Sequence, residues 1–157
     1  GTEIATTSGT SITFGSIPSG VQMIILNWVG VSHGSNTHTM QIRIGDAGGI
    51  ETSGYLTTSA KIADQAVESA TLRHTGAFAL GTTNWDLADV DHGQCFFCLE
   101  DSSAFTWTFS GQIAASSEDA ISFGAGSKSL SAELTQIEIT SSGGATFDAG
   151  AMNIMYI

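Results

Sequence analysis

Apolar residues recur at every second position in stretch after stretch of this chain, and that period limits what it can fold into. Ile12 and Phe14 alternate with Ser11 and Thr13. Met40, Ile42 and Ile44 alternate with Gln41 and Arg43, and Phe105, Trp107 and Phe109 with Thr106, Thr108 and Ser110. Ile137 and Ile139 flank Glu138, and Met152, Ile154 and Tyr156 share one phase with Asn153 on the other. Side chains point to opposite faces at successive positions of a strand, so each stretch offers one face to a core and one to water. The threonine and β-branched content agrees.

Val21 to Val31 is more evenly apolar. It reads as a central strand covered on both faces, or as one whose outer face meets another subunit. Leu130, Ala132 and Leu134 share a phase that Ile137 and Ile139 do not, which asks for a bulge or bend near Gln136. Glycine and serine clusters punctuate the chain; glycine occurs 19 times and proline once, so the turns are glycine turns. Ala60 to Ala70 is rich in alanine and charge and reads as a long loop or short helical turn. The sum is an all-β chain: one domain over residues 1–157, an antiparallel β-sandwich, jelly-roll-like, with roughly eight to ten strands.

Composition narrows the partners. Only 12% of residues are charged, against about a quarter in an average domain, so Ser, Thr and Gly must clothe the surface. The net charge is −11 with four Lys+Arg, which argues against nucleic acid and against anionic membrane surfaces. No run of 18 apolar residues and no signal-peptide pattern occurs. The chain opens on Gly1, and it is expected to be the C-terminal part of a longer chain.

The five residues Gly45-Asp46-Ala47-Gly48-Gly49 resemble the nucleophile motif of trypsin-like proteases. The nucleophile position holds Ala47, and the 46 residues before it are too few for the first half of that fold. They read instead as a turn ending the strand Met40–Ile44, with Asp46 in an Asx turn and glycines supplying positive φ. Cys95 and Cys98 form a CxxC inside a strand-like stretch. There they face opposite sides, and two buried free thiols are expected.

Asp86, Asp89 and Asp91 put oxygen ligands near one another, as Ca²⁺ prefers, but without the spacing of an EF-hand; a solvated loop is the expectation, with no metal or other cofactor assigned. His33 and His38 bracket a Gly/Ser/Asn loop containing Asn36 and are candidates to converge. Trp28, Tyr55, Trp85, Trp107 and Tyr156 are the aromatics available for stacking on sugars. Trp107 shares the phase of a core face, which leaves Trp85, in the polar segment with Asn84 and Asp86, as the exposed candidate. The binding residues expected are therefore Trp85, Asn84, Asp86, His33, Asn36 and His38. No spacing singles out a carboxylate pair, and no glycine loop cradles phosphate, so a non-enzymatic protein is expected.

Four stretches, TSGTSITFGSIPSGVQMI (7–24), IRIGDAGGIETSGY (42–55), AGSKSLSAELTQIEIT (125–140) and TFDAGAMNIMYI (146–157), occur in an order that resembles a C-terminal domain of tail fibre and tail-associated proteins of tailed phages and prophages. The likeness spans nearly the whole chain and is weakest over 60–92. The chain departs from that pattern at Cys95, Cys98 and Ala47, and in ending on Tyr156-Ile157. The resemblance implies a virion protein at a fibre or spike tip, acting in host attachment and trimerisation. Its implied partners are a bacterial cell-surface polysaccharide or protein and other virion proteins, and it brings no catalytic residue. The alternatives are a capsid or tail decoration module and a carbohydrate-binding module of a depolymerase.

Overall fold

The computed structural model describes residues 1–34, 38–63, 70–85, 89–117 and 120–157, with side chains at all of these except 38, 70 and 82–85. The described residues form thirteen strands. They are β1 (Ile4–Ala5), β2 (Ser11–Phe14), β3 (Met23–His33), β4 (His38–Asp46), β5 (Gly49–Ile50), β6 (Leu56–Ala63), β7 (Ala70–His74), β8 (Phe78–Trp85), β9 (Asp91–Asp101), β10 (Thr106–Ala115), β11 (Ala120–Ser129), β12 (Gln136–Ser141) and β13 (Phe147–Tyr156). Eight of them make one sheet in the order β1-β13-β3-β9-β10-β11-β6-β7. A second sheet runs β2-β12-β4-β5, with β8 also paired to β4. Every pairing is antiparallel. This is the expected β-sandwich, with thirteen strands where the turn spacing suggests roughly eight to ten; two of them, β1 and β5, are only two residues long.

The core is where the period-two pattern places it. Ile24, Leu26 and Trp28 of β3, Phe97 of β9 and Trp107 and Phe109 of β10 meet Ile12, Phe14, Ile42, Ile44, Ile137 and Ile139 of the second sheet. Phe78 of β8 joins the layers: its ring stacks on Phe109 at 4.7 Å and stands edge-on to Phe97 at 5.7 Å. The phase change after Leu134 is a passage from one sheet to the other. β11 ends at Ser129, Leu130 and Leu134 stay buried along the connection, and β12 opens the second sheet at Gln136. β3 lies inside its sheet, between β13 and β9, but its outer face is not covered: Met23 and Val29 are exposed.

Three readings of the sequence change. Ala60–Ala63 belongs to strand β6, and Ala70 opens β7; residues 64–69 of the expected loop or helical turn lie outside the described residues. The pattern of β6 is inverted, with Thr57, Ser59 and Lys61 facing inward and Leu56 and Ile62 facing out. β11 does the same, burying Ser122 and Lys128 and exposing Ile121 and Phe123. The reason is close approach by β8. Ser59 Oγ donates to the Gly81 carbonyl at 2.7 Å, and a Cβ on Gly124 would stand 2.5 Å from the Ala79 carbonyl oxygen, so only small or hydrogen-bonding side chains fit beneath it. Phe105 lies before β10 in a left-handed conformation, φ 50°, and Tyr156 turns outward where Met152 and Ile154 are buried.

The two chain ends meet on one edge of the large sheet. The Ile157 N–H donates to the Met23 carbonyl at 2.9 Å, the Thr6 N–H donates to the Gly150 carbonyl at 2.9 Å, and Gly1 packs against Ile154.

Candidate recognition face

The protease-like motif is a turn. β4 ends at Asp46, Ala47 and Gly48 make the corner, and Gly49 starts β5 with φ 128°. The Asp46 carboxylate accepts from the Gly48 N–H at 2.7 Å and from Ser131 Oγ at 2.6 Å. Those two bonds, Ser131 first, hold its pKa below the ordinary carboxylate range. Gly45 has no room for a side chain, because a Cβ there would sit 2.3 Å from the Gly49 carbonyl oxygen. Tyr55 closes the turn from beneath: it is fully buried, its hydroxyl lies 2.9 Å from both the Ile44 N–H and the Glu51 carbonyl, and burial pushes its pKa up to about 12.

Two of the residues selected from the sequence are brought together by strand pairing. The register of β4 on β8 sets His38 opposite Trp85, with Asn84 beside it. The side chains of these three, and all of Asn36 and Asp86, lie outside the described residues. His33 is not a loop residue. It is the last residue of β3, fully buried, with its ring 4.6 Å from that of Phe147.

The described residues of the acidic stretch are not solvated either. Asp89 and Asp91 are both buried, with Lys61 buried near them. Ser117 Oγ donates to Asp89 at 3.2 Å. Desolvation, reinforced by the charge of Asp89 and opposed by that of Lys61, pushes the Asp91 carboxyl up to about 8. Among the described residues no group of three or more His, Cys, Asp or Glu side chains is arranged to hold a metal ion. Cys95 faces the core with its thiol pKa raised by burial, Cys98 faces outward half-buried, and both are free. Of the other candidate aromatics, Trp28 and Trp107 are core residues and Tyr156 is partly exposed.

A small cavity of about 150 Å³ opens beside Trp107, lined also by Val21, Leu99, Phe105 and Leu134. Glu133 stands at its rim, with its carboxylate already accepting from Ser19 Oγ at 2.9 Å and the Gly20 N–H at 2.8 Å.

The broadest feature is the outer face of the eight-stranded sheet, which no single stretch of sequence reveals. Cross-strand register aligns its outward side chains in rows. One row runs Met23, Cys98, Thr108, Ser127, Leu56, and the next Met155, Ile25, Phe96, Ser110, Ala125, Thr58. The third runs Asn153, Asn27, Gln94, Gln112, Phe123: four amides on four adjacent strands, ending on an exposed phenyl ring. Beyond it lie Val29, His92, Ala114, Ile121 and Ile62. From β3 to β6 these four rows contain no Asp, Glu, Lys or Arg, in a chain of net charge −11. Asn153 Oδ1 accepts from the Ile154 N–H at 2.8 Å. Among the described residues, the side chains of Asn27, Gln94 and Gln112 make no hydrogen bond. Asn27 and Gln94 are half-buried and Gln112 is exposed.

No protein-family model matches the chain, and no curated protein does. Solved structures similar to it include a PL-14 alginate lyase from Aplysia kurodai, at 9% identity and TM-score 0.34 over 98% of this chain and 80% of that one. The VP2 subviral particle of infectious bursal disease virus aligns at 9% identity and TM-score 0.22, over 98% of this chain and 32% of that one. An alginate lyase from Alteromonas sp. 272 aligns at 11% identity and TM-score 0.20, over 86% and 52%. At such identities and TM-scores nothing about the chemistry of this chain follows from theirs, and what it shares with them goes no further than a β-strand architecture.

Proposed function

We propose that this chain is a non-enzymatic virion domain at the tip of a tailed-phage fibre or spike, where it attaches the particle to the host surface and works as a homotrimer. The observation that carries this reading is the set of four adjacent rows on the outer face of the eight-stranded sheet that hold no charge from β3 to β6 and are clothed in amides, hydroxyls and scattered apolar groups. Such a face suits recognition by shape and neutral hydrogen bonds. The ordered stretches 7–24, 42–55, 125–140 and 146–157 support the virion context, and the Asp46 turn is accounted for as structure. Repetition of the tip around a three-fold axis lets a weak site hold through avidity.

The test is attachment. Labelled protein is expected to decorate the bacterial strains that its parent virus infects and to leave resistant strains bare. Decoration of none of them removes the attachment role. The second reading, a decoration module that assembles with other virion proteins, is favoured by the exposed Leu56, Ile62 and Ile121; it requires co-assembly with those proteins and no cell binding.

A further inference from the structure

The face described above contains a particular juxtaposition: four amide side chains in register on β13, β3, β9 and β10, followed on β11 by Phe123. We infer that this row is the binding site for an uncharged polysaccharide, laid across the strands with one sugar ring against Phe123. The inference rests on the attachment reading and names its ligand.

Three observations converge on that chemistry. First, adjacent strands lie ~4.8 Å apart, so the row presents an amide at each step of about one sugar unit. Each amide carries two N–H donors and an acceptor oxygen, the complement of a sugar hydroxyl that both donates and accepts. Second, Asn27, Gln94 and Gln112 spend none of these groups on other described side chains or backbone. None of them is a buried group cut off from solvent, so water reaches these amides and a ligand hydroxyl can take its place. Third, Phe123 is 48% exposed and directly opposite Gln112. Its ring offers a flat apolar face for the C–H side of a pyranose, placed where the last amide fixes the ring's hydroxyls.

Charge selects the class. From β3 to β6 the rows on either side of the amides hold no formal charge to pair with a carboxylate, sulfate or phosphate, and Lys61 and Lys128 are buried on the inner face. An acidic glycan would meet the repulsion of a −11 protein with no cation on the strands that carry the row to offset it; Arg73, exposed on the same face, stands on β7 in register with Thr58, two strands beyond Phe123. A neutral glycan meets none.

The experiment uses an immobilised panel of purified bacterial capsular and O-chain polysaccharides, neutral members beside uronic-acid ones, with alginate as the anionic probe. The full chain is expected to retain one or more neutral members and not alginate. Gln94→Ala with Gln112→Ala, and separately Phe123→Ala, should each weaken that retention at least tenfold with melting temperature unchanged. Retention of no neutral polysaccharide, or equal retention by the variants, overturns the inference. So does a fall in solution mass of the Gln94/Gln112 variant, which would make the face a seam between copies. Binding of whole cells without any neutral polysaccharide refutes this inference and leaves the attachment reading standing; loss of cell binding refutes that reading.

Discussion

Burial moves the Asp91 carboxyl far from its ordinary behaviour, and the consequence can be worked out with sign. Its folded pKa, about 8, lies above its ordinary value of 3.8, so between these the native state holds a proton that the unfolded chain has released. Its contribution is complete below about pH 4 and is lost as pH rises through 8, at up to ~1.4 kcal/mol per pH unit. Asp46, Glu51, Asp101 and Glu133 are shifted the other way, and what they contribute is lost as pH falls through their lowered pKa values. Chemical denaturation should therefore find greatest stability at mildly acidic pH, and Asp91→Asn should flatten the decline between about pH 4 and 8. An unchanged decline in that variant would assign it elsewhere. Gly150 is the second residue with a definite expectation. Its φ is 93° and an added Cβ would lie 2.4 Å from the Gly30 carbonyl oxygen, so Gly150→Ala should cost more than ~1 kcal/mol in a urea melt. At this scale the sequence was readable where bonding is local: the Asx turn at Asp46 needs only Gly48 two residues on. It was misleading where bonding is distant. A run of aspartates looks solvated until Lys61 and Ser117 arrive from other strands.

Among the elements, β6 and β11 depart most from their own sequence pattern, because β8 lies against them too closely for large side chains. Gly124→Ala should cost ~1–3 kcal/mol by overpacking against the Ala79 carbonyl. Ile62→Thr, on the outside of the same strand pair, should change stability by less than ~0.5 kcal/mol. The opposite order of those two effects in thermal melts would mean that the faces are assigned the wrong way round. Alternation made β2, β4, β10 and β12 legible, since their apolar residues do face the core. It cannot tell which face is inside when small polar residues are the buried ones, so Ala60 to Ala70 read as loop or helical turn. The amide row shows a further limit. Asn27, Gln94, Gln112 and Asn153 are far apart in the chain, and only the register of four strands brings them into line.

For the whole molecule, the charge distribution and the proposed assembly give separate expectations. Net charge is −11, yet the four rows around the amides carry no charge from β3 to β6, so retention on a neutral polysaccharide should change little between low and high salt. A steep fall with salt would place the contact on charged groups instead. Light scattering after size exclusion should report three times 16.2 kDa for the trimeric tip; a monomer would require trimerisation to come from outside this domain. The sandwich class was legible as a whole because one period ran through most of the chain. The pairing order of the strands was not, since it is fixed by contacts between distant residues.

The meeting of the chain ends has a consequence for engineering. Gly1 packs on Ile154 while Ile157 bonds to Met23, so a short glycine linker from Ile157 back to Gly1 would close the chain into a ring without disturbing either sheet. Opened anew in the exposed turn at Ser102–Ala104, such a circular permutant would keep every strand pairing and the amide row intact. The order of the strands along the chain would change while their arrangement in space did not, so the fold could be joined to a carrier through β9 and β10 instead, at the same end of its large sheet.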